Sequence, residues 1–439
     1  MNSRTILLRR ALLLLIFSAA ALPATLALHA GPTKKSAKST RVSEQNDLRI
    51  LKLSGTPRER GLKHGKKFAR EILKLMDAFI KAEHLSGGAR QYERNLTRIL
   101  HVMTIPPLFR DELEGLFEGI RAATKGKMKI PALKRNMKLE DVIAMNCIPD
   151  SAGFGCSSFA AWGAMTQRGD TIVARNLDWN YIPQLAKHQV VIVQMPDPEN
   201  KRLGWASVTW PGQIGCFTGM NQEGVTVCMH DVDSGPPRQQ SGFTPRSLIL
   251  RETIECARAD TAQRDVLNVL KDHDVAVGNN IPVGAPYRDL SKETPFTVFE
   301  YDGRSSVGGG PAPLNEGARL RRAGDSMNGS AANRAAPFQI ATNHYRNRGG
   351  ALEKCHRYDT MNQSLLAREE SSRPLTAADA QRLLGEVDVV PRGAKSGILT
   401  YHSVVFEPNR RTLQVAFCNG KRPAPESKWN SLNLNQWFD

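Results

Sequence analysis

The stretch Gly153-Phe154-Gly155-Cys156-Ser157-Ser158-Phe159 holds the residue best suited to covalent chemistry, Cys156. A thiol attacks as its thiolate, so Cys156 needs a cation beside it and a base to take its proton. The residues that follow offer the cation. "GCSSFAAWGAMTQRGDTIVARNLDWNY" reads as a strand, a polar turn at Gln167–Asp170, and a second strand ending in Arg175-Asn176-Leu177-Asp178. A hairpin of that length returns Arg175 and Asp178 to the neighbourhood of Cys156. The guanidinium is expected to lower the thiol's pKa, and the carboxylate to orient an ammonium or polarise an amine. No histidine lies in this hairpin, and the C-G-S-C-W signature of papain-type proteases is absent. The base has another source. If the Gly155–Cys156 bond is broken, Cys156 gains a free α-amine with a pKa near ~8, suited to general-base work. Gly155 puts no side chain on the scissile carbonyl and permits strained backbone angles.

Elements on both sides must hold this hairpin. From about Asp47 to Asp150 the pattern is mainly helical: Phe68, Ile72, Leu75, Met76, Phe79 and Ile80 make one apolar stripe, and "DELEGLFEGIRAAT" and "KLEDVIAMNC" read as further helices. Past Cys156 the texture turns to short β-rich runs, among them "HQVVIVQM", "GWASVTW", "GVTVCMHDV", "TPFTVFEYD", "FQIATNHY", "TYHSVVFE" and "TLQVAF". Helices interrupt them at "TPRSLILRETIECARA", "TAQRDVLNVLKD" and "TAADAQRLLGEV", the last with a Thr376/Asp379 start signal. Strand runs flanking helical pairs predict an α+β layered domain. Residues Gly303–Pro337, rich in Gly, Ala, Ser and Arg, read as a low-complexity loop between two strands.

The 439 residues carry 60 Lys+Arg against 43 Asp+Glu, a net charge of +17. The basic residues are scattered and no nucleic-acid motif accompanies them, so the surplus reads as a basic soluble protein with no nucleic-acid partner. Arg4, Arg9 and Arg10 precede an apolar run that is broken by Pro23 and ends in small residues, the pattern of a signal peptide over residues 1–30. Residues 31–46 read as a flexible basic linker, 47–155 as a helical pro-segment, and 156–439 as the catalytic part. Export is the expected localisation, periplasmic or secreted, with no stable membrane insertion after signal cleavage. Seven cysteines leave at least one unpaired in an oxidising compartment. None has zinc spacing, so no metal and no cofactor is expected.

"GCSSF…ARNLDW" resembles the start of the processed chain in the peptidase C45 family, the acyl-coenzyme A:6-aminopenicillanic acid acyltransferases. The "RNLDW" element also marks the related choloylglycine hydrolases and is approximated in acid ceramidase. Further likeness runs through "GTPRERGLKHGKKFA", "WPGQIGCFTGMNQEGVTVCMHDVD", "IATNHY", "CHRYDTM" and "LTYHSVVFEPNRRTLQVAFCNGKRPA", which together span most of residues 50–425. The resemblance implies the four-layer αββα sandwich of N-terminal nucleophile hydrolases. It implies Cys156 as the nucleophile freed by cleavage after Gly155, with Arg175 and Asp178 beside its sulfur and amine. Asn343 matches an oxyanion-hole asparagine and Arg357 a second active-site arginine. The remaining oxyanion contributor, an asparagine in choloylglycine hydrolases, falls at Asp231, with His230 adjacent.

The reaction so implied is self-cleavage, then attack on a linear amide through a thioester that goes to water or to another amine. A small-molecule amide or acyl donor is the expected partner, and the two chains from one precursor are expected to remain associated. Two alternatives stay open on the residues: a cysteine peptidase pairing Cys156 with a distant histidine such as His344 or His402, and an exported binding protein with a decayed site.

Overall fold

The structure, a computed structural model, describes residues 42–45, 47–150, 153–232, 241–288, 294–302, 318–325, 336–348, 354–390 and 397–438. The expected signal peptide lies outside the described residues, as does the linker up to Arg41. Residues Thr40–Asp439 form one unit. Strand β1 (Val42–Gln45) takes residues expected in the linker, and β2 (Leu48–Gly55) takes the beginning of the segment expected to be helical. Helices α1 (Pro57–Lys81), α2 (Glu83–Ser86), α3 (Gly88–Val102) and α4 (Pro107–Ala123) follow. A small hairpin of β3 (Lys129–Ile130) and β4 (Arg135–Asn136) then leads to α5 (Leu139–Cys147).

Helix α1 begins nine residues before the first Lys of its apolar run because Thr56 and Glu59 cap it reciprocally and Pro57 fits its first turn. Its early turns lie against α4 backbone to backbone. A Cβ on Gly61 would fall 2.0 Å from the Glu112 carbonyl oxygen, and one on Gly119 would fall 2.3 Å from that of Leu62. Only glycine admits that approach.

After the expected cleavage point come β5 (Gly155–Gly163), β6 (Gly169–Asn180), α6 (Pro183–Lys187), β7 (Val190–Pro196), β8 (Trp205–Thr209), β9 (Thr218–Asn221), β10 (Thr226–Cys228) and β11 (His230–Asp231). Helices α7 (Arg246–Cys256) and α8 (Ala262–Lys271) precede β12 (Asn279–Gly284), β13 (Phe296–Tyr301), β14 (Ala318–Arg321) and β15 (Phe338–Ala341). The chain ends with α9 (His356–Glu370), α10 (Ala377–Glu386), β16 (Ile398–Glu407), β17 (Thr412–Phe417), β18 (Trp429–Asn433) and α11 (Asn435–Phe438).

Among the described residues these strands build two large sheets, one ordered β1-β2-β7-β8-β9-β10-β12-β13-β14 with β11 on β12, the other β15-β5-β6-β16-β17-β18. Period-2 alternation sorts their side chains into layers. Ile50, Val191, Val193 and Val298 of the first sheet meet Ala160, Trp162, Val173 and Val404 of the second in one core. The outer face of the second sheet, through Phe159 and Ala174, packs on Met361 and Leu365 of α9 and Leu383 of α10. The outer face of the first packs on α1, α4, α5 and α7. The fold is therefore an αββα sandwich.

One expectation is corrected here. The segment Gly303–Pro337, read as a loop, contains β14, which pairs with β13. The reason is Arg321: its side chain is buried, its Nε donates to Glu300 Oε1 at 3.0 Å, and its Nη2 donates to the Ile340 carbonyl at 2.9 Å. Arg321→Ala takes the ion-pair partner from the buried Glu300 carboxylate, which keeps the Arg346 and Asn347 N–H donors, so urea unfolding should show a loss of about 3 kcal/mol. An unchanged midpoint would mean that β14 contributes nothing to the fold.

Candidate active site

The β5–β6 hairpin has the expected closure, with Gly155 opposite Asp178, Cys156 opposite Leu177, and Ser158 opposite Arg175. Alternation then decides which face each side chain takes. Cys156, Ser158 and Arg175 point between the sheets, while Asp178 and Asn176 point toward α9 and α10. The thiol and the carboxylate thus lie on opposite faces, with the Gly155–Cys156 peptide between them.

On the inner face the Cys156 thiol is fully buried and donates to the Met229 carbonyl at 3.3 Å. Arg175 Nη2 donates to the sulfur at 3.2 Å and to the same carbonyl at 2.8 Å. Burial pushes the thiol up to about 11 while Arg175 pulls it down. The expected lowering is therefore overturned in the uncut chain, where desolvation outweighs the guanidinium. Arg175→Lys keeps the charge but cannot reach sulfur and carbonyl together. Its rate per cut active site should fall about tenfold, read from acyl-enzyme formation. Wild-type rates would show that the planar fork is dispensable.

On the outer face Asp178 is fully buried. Its Oδ2 accepts from Arg357 Nη1 at 2.9 Å and its Oδ1 from the Thr400 hydroxyl at 2.6 Å. Burial raises its pKa, opposed by Arg357, Thr400 and Arg175. Arg357, in the first turn of α9, also donates to Asn343 Oδ1 at 2.8 Å. That oxygen accepts the Cys156 N–H at 2.8 Å as well, and Asn343 Nδ2 donates to the Phe154 carbonyl at 2.9 Å and the Asp231 carbonyl at 2.7 Å. One amide therefore grips both sides of the Gly155–Cys156 bond. A Cβ on Gly155 would sit 3.1 Å from Asp178 Cβ. A side chain there would press Asp178 back by a few tenths of an ångström; the φ of Gly155 lies outside the left-handed region, so the expected use of strained angles is not seen.

Asp231 stands apart from this group. Its carboxylate accepts from Arg246 and from the Phe154 N–H, and so it has no donor to offer an oxyanion. At the position that matches the oxyanion asparagine, the side chain therefore supplies no donor, and a backbone N–H is what could serve there. His230 shares a 2.6 Å hydrogen bond with Ser158, and His402 one of 2.9 Å with Thr218. Burial, then Arg175, depresses both rings well below the usual histidine range. His344 hydrogen-bonds Cys355. Among the described residues the Cys156 thiol makes its hydrogen bonds with Arg175 and the Met229 carbonyl. All seven cysteines are unpaired thiols. Sequence reasoning missed Thr400, the Met229 carbonyl and Arg246: Thr400 arrives through the β6–β16 register, Met229 from the link between β10 and β11, and Arg246 from the start of α7, and no local pattern near Cys156 carries these long-range placements.

Next to the scissile segment is a small apolar pocket lined by Leu75, Met76 and Phe79 of α1 with Phe154, Trp179 and Trp210. Phe154 stacks on Trp179 with 4.5 Å between ring centroids.

Residues 165–293 match the acyl-coenzyme A:6-aminopenicillanic acid acyl-transferase family. The match takes in Arg175, Asp178 and Asp231, and Cys156, Asn343 and Arg357 lie outside it. The resemblance to this acyl-transferase family stands over that segment. An uncharacterized protein of Archaeoglobus fulgidus is 26% identical over 245 residues, 52% of this chain. Protein dcd1A of Dictyostelium discoideum is 22% identical over 263 residues, 53% of this chain. The matches span only 39% and 56% of those relatives' lengths. Among solved structures, an N-acylethanolamine-hydrolyzing acid amidase ortholog from Caenorhabditis elegans is 16% identical, with a TM-score of 0.38 over 58% of this chain and 93% of that one. A variant of conjugated bile acid hydrolase from Clostridium perfringens is 10% identical, with a TM-score of 0.41 over 64% and 93%. Penicillin V acylase from Agrobacterium tumefaciens is 11% identical, with a TM-score of 0.32 over 64% and 92%. Among the described residues no helix is long and apolar enough to cross a membrane.

Proposed function

We propose that the chain is an exported precursor that cleaves itself at Gly155–Cys156 and becomes an N-terminal cysteine amidohydrolase or acyltransferase. The observation that carries this reading is the grip on that bond: Asn343 holds the Cys156 nitrogen and the Phe154 carbonyl, while Arg175 holds the sulfur. Sulfur attacks the Gly155 carbonyl carbon, a C–S bond replaces the C–N bond, and the thiol proton ends on the released nitrogen. Water then opens the thioester, leaving a Gly155 carboxylate and a free Cys156 thiol and amine. In turnover the amine takes the thiol proton and returns it to the leaving amine of the substrate. Asp178 and the Asn343 oxygen hold the ammonium form. Asn343 Nδ2, once free of the Phe154 carbonyl, donates to the oxyanion. The thioester passes to water or to an acceptor amine.

The apolar pocket favours an acyl group with an aromatic or branched apolar body. The pieces stay together because Glu112 of α4 takes Arg60 of α1 at 2.8 Å and Arg251 of α7 at 2.7 Å, all buried. The test is N-terminal sequencing of the purified protein, then mass spectrometry of the large piece mixed with apolar acyl amides. A sequence starting at Cys156 and an acyl adduct on that residue are expected. An adduct on an uncut chain would contradict the reading.

A further inference from the structure

Arg246 touches none of the groups assigned above to acyl transfer by a side-chain hydrogen bond, yet its side chain is almost fully buried. Every guanidinium nitrogen is committed. Nε donates to Asp150 Oδ1 at 3.3 Å, Nη1 to the Gly278 carbonyl at 2.8 Å and to Asp231, and Nη2 to the Pro149 carbonyl. Its backbone N–H also reaches both Asp150 oxygens at 3.3 Å. Asp231 in turn accepts the Phe154 N–H with its other oxygen. One cation thus fixes the segment leading to Gly155 at two places, directly at Pro149–Asp150 and through Asp231 at Phe154.

Such a group contributes little net stability, since packed apolar residues of similar volume often serve as well. What it supplies is a fixed geometry, and the chain it fixes delivers the carbonyl that Cys156 must attack. A displacement of about 1 Å in a reacting group can cost about a hundredfold in rate.

We propose that Arg246 is a positioning residue for maturation: with Asp150 and Asp231 it clamps Pro149, Asp150 and Phe154 so that the Gly155 carbonyl is presented to the Cys156 thiol. The proposal rests on the self-cleavage reading above and confines Arg246 to that step. Once the bond is cut, none of the groups it holds on the pre-cut segment reacts with the Cys156 thiol. Its remaining links to the site are the apolar pocket wall, to which Pro149 and Phe154 contribute, and the Asp231 carbonyl, which accepts from Asn343.

Freshly synthesised wild-type chain, Arg246→Lys and Asp150→Asn would be followed on denaturing gels for the first-order conversion to two pieces. The cut fraction of each would then be treated with iodoacetamide and the alkylation rate of Cys156 read by mass spectrometry. Both variants should cut at least tenfold more slowly, with alkylation of the cut form within twofold of wild type. Asp150→Asn keeps the side-chain shape but removes the charge that faces Arg246, so its thermal midpoint should fall while it stays folded at the assay temperature, and it decides the matter if Arg246→Lys fails to fold. Wild-type cutting rates in the folded variants would overturn the clamp alone. An equal fall in cutting and alkylation would also overturn it, by showing a general disturbance of the site. Wild-type chain that never cuts would overturn the self-cleavage reading and the clamp together.

Discussion

Cys156→Ala should remain one chain on a denaturing gel and form no acyl adduct, while wild type separates into two pieces, the larger of roughly 31 kDa from a 48.5 kDa precursor. The effect is expected to be complete, because the variant has no atom that can attack Gly155. Arg175, Asp178 and Asn343 surround the bond but act by hydrogen bonding and charge. Cys156→Ser retains a weaker nucleophile that is scarcely ionised at neutral pH, so slow cutting is the expected result. The comparison also separates self-cleavage from trimming by another protease, which would cut Cys156→Ala at the wild-type rate. Active wild-type enzyme with Gly155–Cys156 intact would end the mechanism outright.

Asp178→Asn should lower the rate per cut site by about a hundredfold or more. The amide keeps the shape and can still meet Thr400. It loses the charge that balances Arg357, and it loses the anion that sits opposite Gly155. Asn176→Ala is the informative comparison. Asn176 lies on the same face two residues earlier, donating to the Leu384 carbonyl at 2.8 Å and accepting from Ser403 at 2.6 Å. Its loss should cost about 1–3 kcal/mol of stability and leave the rate of the folded, cut enzyme unchanged. Thermal melts with active-site titration would separate the two outcomes. Equal rates per site in both variants would remove Asp178 from the mechanism.

The catalytic hairpin was legible because its cues are local. A polar turn between two β-rich runs dictates antiparallel return, and counting residues brings Arg175 and Asp178 back to Cys156. Helix α1 was legible for a similar reason, its apolar stripe being a property of one segment. Strand β2 was hidden within a segment that reads as helical overall, and its partner β7 lies far along the chain in a parallel pairing that no turn announces. Strand β14 is four residues in a biased composition, and the buried ion pair of Arg321 with Glu300 identifies it only after folding. The same limit applied at the site. Thr400 stands opposite Asp178 through the β6–β16 register, and the role of Asp231 depends on Arg246 in α7. Its position in a motif indicated proximity to the bond, whereas its hydrogen-bond partners determined what it can do there.

The pairing of β2 with β7 has a consequence for any attempt to make the catalytic part by itself. Strand β7 has β8 on one side and β2 on the other, and Val190, Val191, Ile192 and Val193 along it are buried. A gene starting at Cys156 would leave one whole edge of that strand with its N–H and C=O groups unpaired and its neighbouring side chains apolar. Open edges of this kind pair with copies of themselves. The segment before Cys156 is thus an edge guard for this sheet, and without it the larger piece is built to aggregate.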